Sequence, residues 1–276
     1  MTVVGATVLD VTPRREPPPE HVCSAFGGRA ADVEPLPGSD TAWRCDSVVL
    51  RRVTDRARAL WTARTLDSVN VPDLRIAKPV RSTDGRWIVA GWSANRYLSG
   101  TPEHRPDEVV LAAVKLHQAT AEVAAPDFLT GRTDVYARAD RIAWDHDEVD
   151  LDENRGGRWF EVLAGARRPV AQPSQVVHGD LFGTVLFDGD APPGIVDFPP
   201  FHRPAEWGAA IAAVDAVTWG GADAGLLARW AHLPEWPQML LRAMLYRLAV
   251  NALDPRSTPA ALDALRATAR EVSALL

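Results

Sequence analysis

The chain of 276 residues is poor in cysteine, with only Cys23 and Cys45. Two thiols cannot make a disulfide framework, and they lack the spacing of a metal site. No apolar run reaches the length of a membrane span, which argues against a membrane protein. No block of basic residues occurs and the net charge is −6, so the basic face expected of a nucleic-acid binder is missing. Lysine is equally scarce, present only as Lys78 and Lys115, so nearly all positive charge is arginine. The first twenty residues show no basic start, apolar stretch and small-residue cleavage site in succession, and a cytoplasmic protein is expected.

What the chain has is bulk and pattern. Its length suits two lobes, and 46% hydrophobic residues can fill a sizeable core. The stretch Pro13–Glu20 is rich in proline and charge, which predicts a flexible arm over 1–20. Residues 31–36 and 41–53 read as strands around the turn Pro37-Gly38-Ser39-Asp40. Helical spacing covers 54–66, with Thr54 as the expected N-cap. A hairpin through Thr83-Asp84-Gly85 is expected to join 75–81 to 86–97. After the connector Leu98-Ser99-Gly100-Thr101-Pro102 the periodicity turns to 3.6, predicting helices over 108–123, 135–144, 205–219, 224–231, 236–253 and 259–276. The expectation is an N-lobe over 21–98 and a helical C-lobe over 99–276. Residues 145–153 form an acidic loop, which reads either as a solvated surface or as an attractor of a cationic substrate.

Chemistry concentrates in 176–198. The run Val176-Val177-His178-Gly179-Asp180 and the run Ile195-Val196-Asp197-Phe198 each deliver one carboxylate, with a Gly/Pro-rich turn between them. Phosphoryl transfer needs such a pair, one Asp for the acceptor hydroxyl and one for Mg²⁺.

A mainly-β lobe, a glycine-containing hinge and a helical lobe carrying His178-Gly179-Asp180 and then Val196-Asp197-Phe198 resemble the aminoglycoside phosphotransferase family, a kinase-like family. The similarity runs from about residue 30 to the C-terminus and is nearest to an actinobacterial branch with a degenerate active site. It implies an α+β, protein-kinase-like two-lobed fold, with a small β-rich N-lobe, a larger helical C-lobe and a nucleotide cleft between them. It implies ATP and Mg²⁺ as cofactors. Asp180 would orient the acceptor hydroxyl and take its proton, His178 would brace the catalytic loop, and Asp197 would ligate Mg²⁺. The hinge around Tyr97 and Leu98 would pair with adenine, with Trp92 as a candidate wall. Phe201, Arg203 and Asp145 are the candidate acceptor contacts.

The sequence departs from the family pattern at several points. Thr184 stands where the family has a metal-binding Asn. Arg51 stands where it has the phosphate lysine, a change of shape as well as size, and Lys78 on a neighbouring strand is the candidate substitute. The first helix carries no glutamate partner, and the nucleotide loop 37–41 has a single glycine. Two functions are therefore expected. One is an ATP/Mg-dependent phosphotransferase acting on a hydroxyl of a small molecule, cationic or not, or on a peptide Ser/Thr during natural-product maturation. The other is a pseudokinase that binds a peptide, metabolite or partner enzyme. Neither nucleic acid nor membrane is an expected partner.

Overall fold

The computed structural model describes residues 16–37, 39 and 41–276. The expected arm lies, up to residue 15, outside the described residues, as do Gly38 and Asp40 of the expected turn. Two compact units emerge. Of the described residues, the first takes those up to Pro102 and then Thr184–Phe198; the second takes Glu103–Gly183 and Pro199–Leu276.

The first unit opens with the short helix α1 (Glu20–Ala25), followed by β1 (Val33–Pro35), β2 (Ala42–Cys45) and β3 (Val48–Arg52). Asp46, at φ 56°, turns β2 into β3. Helix α2 (Arg56–Ser68) follows. Its N-cap is Asp55 rather than Thr54, because the Asp55 carboxylate accepts the Arg58 N–H at 3.0 Å. Then come β4 (Arg75–Ile76), β5 (Pro79–Val80), β6 (Ile88–Val89) and β7 (Trp92–Arg96). The order β1-β2-β3-β7-β5, with β6 also on β7, makes an antiparallel sheet. The tight turn of the 86–97 segment lies at Ala90-Gly91, both at positive φ, which suits a two-residue hairpin loop. Inside this unit Val22, Cys23, Phe26, Cys45, Val48, Leu50 and Trp92 form one core cluster. Trp92 is thus a core residue, with 2% of its surface exposed.

The second unit is helical: α3 (Pro106–Ala119), α4 (Val135–Ala143) and α5 (Gly157–Ala164) precede strand β8 (Gln175–His178). The chain then returns to the first unit as β9 (Val185–Asp188) and β10 (Ala191–Ile195). There β10 pairs antiparallel with β9 and parallel with β4. Gly100, at φ 113°, passes so close to the Phe187 carbonyl that a Cβ would overlap it. Back in the second unit, β11 (Pro200–Arg203) pairs antiparallel with β8, and α6 (Ala205–Thr218), α7 (Gly225–Arg229), α8 (Trp236–Leu253) and α9 (Pro259–Ser273) complete the chain.

Helix α8 is the spine of this unit. It is buried on nearly every side, mostly through apolar residues, and packs against α4, α5, α6 and α9. Each fully buried leucine, such as Leu240, Leu241, Leu245 and Leu248, contributes about 1.5–3 kcal/mol of burial. Helix α6 is buried along most of its length, largely through small residues such as Ala209, Ala210, Ala212 and Ala213, and packs between α3 and α8. The antiparallel N-terminal sheet and the helical C-terminal part make the mixed, kinase-like fold that the sequence predicts. No helix among the described residues is long and apolar enough to cross a membrane.

Candidate active site

In the second unit, β8 delivers the His178-Gly179-Asp180 turn. His178 is opposite Pro200 in the β8–β11 ladder, and the Gly179 N–H donates to the Pro199 carbonyl at 3.2 Å. A side chain on Gly179 would overlap the Phe201 ring, so space demands glycine there. The Asp180 N–H donates to His178 Nδ1 at 3.1 Å. The His178 N–H in turn donates to Nε2 of His117, on α3, at 3.0 Å. His117 Nδ1 lies 2.9 Å from the Ala205 carbonyl, which can only accept, so the proton of this ring sits on Nδ1 and Nε2 is free to accept. The turn is thus braced by an imidazole that must be neutral. Burial pushes His117 down to about 3, aided by the neighbouring His178. Gly208 on α6 makes room for it, since a Cβ there would overlap the His117 ring.

The brace carries a pH signature. A histidine at 6.5 when unfolded and about 3 when folded makes the unfolded state bind the extra proton between those values. Its contribution is complete above 6.5 and is lost as pH falls through the window toward 3. The stability advantage of wild type over His117→Gln should therefore shrink by about 1.4 kcal/mol per pH unit below 6.5. Urea unfolding of both proteins at several pH values checks this; a constant difference would contradict it.

Behind Asp180 is a buried charge cluster. Arg247 on α8 donates from Nε to Asp215 Oδ1 at 2.7 Å and from Nη2 to Asp215 Oδ2. The same Nη2 reaches Asp180 Oδ1 at 3.1 Å. Burial raises Asp215 to about 6 against the pull of Arg247. Burial also works against the Arg247 charge, but Asp215, Tyr246 and Asp180 outweigh it and hold the guanidinium charged. Neither Asp215 nor Arg247 is among the sequence-derived candidates. Their signal is a charge set among apolar residues of a helical run, which demands a partner when buried.

The candidate acceptor residues of this unit are otherwise engaged. Phe201 is 5% exposed and packs edge-on against Trp207 and Tyr246. Arg203 makes two 2.8 Å bonds to Asp140 and lies over the Trp144 ring. Asp145 is exposed and pairs with Arg167 at 2.7 Å.

In the first unit, Arg51 on β3 is half-buried and donates from Nη1 to the Val196 carbonyl at 3.3 Å, one residue before Asp197. The Asp197 carboxylate accepts the Phe198 N–H at 2.8 Å, and Phe198 is fully buried against Trp61 of α2. Thr184 starts the segment that leads into β9. Lys78 donates to the carbonyls of Leu66, Asp67 and Val69 at 2.9, 3.1 and 2.5 Å, so its ammonium caps the C-terminal end of α2. The Tyr97 N–H is bonded to the Ser47 carbonyl, and its ring lies under Arg44. Leu98 packs beside Gly194 of β10. Among the described residues no group of three or more His, Cys, Asp or Glu could hold a metal ion.

The phosphotransferase enzyme family matches residues 39–243, nearly three quarters of the chain and both Asp motifs. The chain belongs to this family. Solved phosphotransferases share its fold. An AMP-bound spectinomycin phosphotransferase aligns with a TM-score of 0.60 at 13% identity, over 92% of this chain and 96% of that one. A thermostable mutant aminoglycoside phosphotransferase, in a ternary complex with ADP and hygromycin B, gives 0.58 at 15% identity over 91% and 97%. A choline/ethanolamine kinase family protein from Mesorhizobium loti gives 0.56 at 16% identity over 91% and 94%. No curated protein matches the chain.

Proposed function

We propose that this member of the phosphotransferase family moves the γ-phosphoryl group of ATP, with Mg²⁺, to a hydroxyl of a small molecule or of a peptide Ser/Thr. The observation that carries the reading is Asp180. Its loop is fixed by the His178 and His117 imidazoles, and its carboxylate is held by Arg247. So much buried structure around one third-exposed carboxylate suits a group that must meet a reacting hydroxyl at a fixed angle.

Asp180 orients the acceptor hydroxyl and receives its proton as the bond to phosphorus forms. His178 acts through the Asp180 N–H, as a brace. Mg²⁺ takes hard oxygen donors, usually one or two carboxylates with phosphate oxygens and water completing the shell. The Asp197 carboxylate and the Thr184 hydroxyl fit that donor set and would hold the ion, which supplies charge neutralisation at the phosphates. Arg51 is assigned to the phosphates in place of a lysine. The adenine contact is assigned to the segment around Tyr97 and Leu98. Acceptor recognition is assigned to the neighbourhood of Phe201, with the Arg203–Asp140 pair beside it and the acidic loop at Asp145 as the exposed charge.

The engaged ammonium of Lys78 favours a second reading, a pseudokinase whose nucleotide site has decayed. The two part experimentally. Wild type should release ADP from ATP in a Mg²⁺-dependent way with at least one acceptor from a panel of spectinomycin, hygromycin B, choline and Ser/Thr peptides. No release with any acceptor, and none in water, would favour the pseudokinase.

Two substitutions separate Arg51 from Lys78. Arg51→Met should weaken ATP binding by about ten-fold or more, the worth of one charged hydrogen bond. Lys78→Met should leave ATP affinity unchanged and cost about 1–3 kcal/mol of stability through the lost α2 cap. Calorimetric titration and urea unfolding of both variants check the pair. A large affinity loss in Lys78→Met would return the phosphate role to Lys78.

A further inference from the structure

We propose that Arg247 is a positioning residue for Asp180, and that Asp215 sets how strongly it acts. The inference rests on the phosphotransferase reading of Asp180. Two bonds from Arg247 to Asp215 fix the plane of the guanidinium, because a planar fork bonded twice to one carboxylate has no rotation left. Both groups are buried, Asp215 at 1% exposure and Arg247 at 5%. In that fixed plane Nη2 points at Asp180 Oδ1. The catalytic loop is therefore referenced to α6 and α8, the most deeply packed helices of its unit, and not only to its own strand.

Charge balance gives Asp215 its part. An arginine alone beside Asp180 would form a full ion pair and compete with the acceptor hydroxyl for the carboxylate. With Asp215 taking most of the Arg247 charge, Asp180 is held without being neutralised. Tyr136 on α4, Tyr246 on α8 and His178 on its own loop also lie near Asp180. Burial raises both tyrosines, so they stay neutral, and the buried charges set directly behind the Asp180 carboxylate are Arg247 and Asp215.

Two variants move Asp180 in opposite directions. Asp215→Asn keeps the shape and hands the Arg247 charge to Asp180. The double variant Arg247→Met/Asp215→Leu removes the buried pair together, which avoids stranding either charge and keeps the protein folded. Side-chain carboxyl NMR of ¹³C-aspartate-labelled protein should show Asp180 titrating lower than wild type in the first and higher in the second. Both should lower kcat for ATP turnover by about ten-fold or more while the KM for ATP holds, since the lost contact positions the hydroxyl and not the nucleotide. Arg247→Lys should not restore kcat, because an ammonium cannot bond Asp215 twice and reach Asp180 as well. An Asp180 titration identical in all the proteins would overturn the inference. If wild type turned over no ATP, the phosphotransferase reading would fall, and the Asp180 titrations would still decide whether Arg247 and Asp215 control that carboxylate.

Discussion

Asp180→Ala should lower phosphoryl transfer by about 10²–10⁴-fold, the range that a positioned acid–base group contributes. The loss should fall on kcat, and ATP affinity should stay within about two-fold of wild type, because the role proposed for this carboxylate is to meet the hydroxyl and not the nucleotide. The fold should survive. The Asp180 side chain is one-third exposed, and its removal leaves the Arg247–Asp215 pair intact. The loop itself is held by bonds that alanine retains, from the backbone N–H of residue 180 to His178 and from the His178 N–H to His117. Steady-state ADP release and an unfolding curve on the same preparation separate a catalytic loss from a collapse. Turnover within three-fold of wild type would remove Asp180 from the chemistry.

Asp215→Ala is expected to cost about 3–5 kcal/mol of stability. Most of that cost comes from the partner left behind. Arg247 is 5% exposed and would keep the 3.1 Å bond to Asp180 as its remaining bond to a carboxylate, beside the Trp219 and Tyr246 rings. The Arg247→Met/Asp215→Leu double variant should stay within about 1–2 kcal/mol of wild type, since a buried ion pair gains little over an apolar pair of similar volume. Urea unfolding of both variants at pH 7 checks the contrast. Equal losses in the two would mean that packing, and not the stranded charge, sets the cost. Asp215 also opposes the His117 term with pH. Its raised folded value, about 6 against 3.8, makes the folded state bind the extra proton in that window. This proton-linked part, separate from the cost of stranding Arg247 at pH 7, is therefore present below 3.8 and is lost as pH rises toward 6.

Where a local rule suffices, the sequence announces the structure. Helix α8 begins and ends where the apolar run does, at Trp236 and Leu253, because a helix buried on every side has no polar stripe to blur its limits. The His178-Gly179-Asp180 turn is legible because each residue type answers a separate demand: a ring nitrogen for the Asp180 N–H, no Cβ against Phe201, and a carboxylate. Helix α5 was not legible, since it starts at Gly156-Gly157 beside an acidic run, where propensity argues for a loop. Nor was the return of residues 184–198 to the first unit, which depends on the parallel pairing of β10 with β4 more than a hundred residues earlier. The least legible features are long-range polar contacts. Lys78 looks like a free strand lysine until the end of α2 arrives beside it. Asp215 and Arg247 look like flaws in apolar helices until α6 meets α8.

The proposed function requires that the chain bind ATP through Mg²⁺ held at Asp197. The direct measurement is calorimetric titration of the full chain with ATP, with and without Mg²⁺, beside Asp197→Ala. The account predicts binding that requires Mg²⁺ in wild type and is lost in the variant. Equal binding by the two proteins, or no binding by wild type at millimolar ATP, would contradict it.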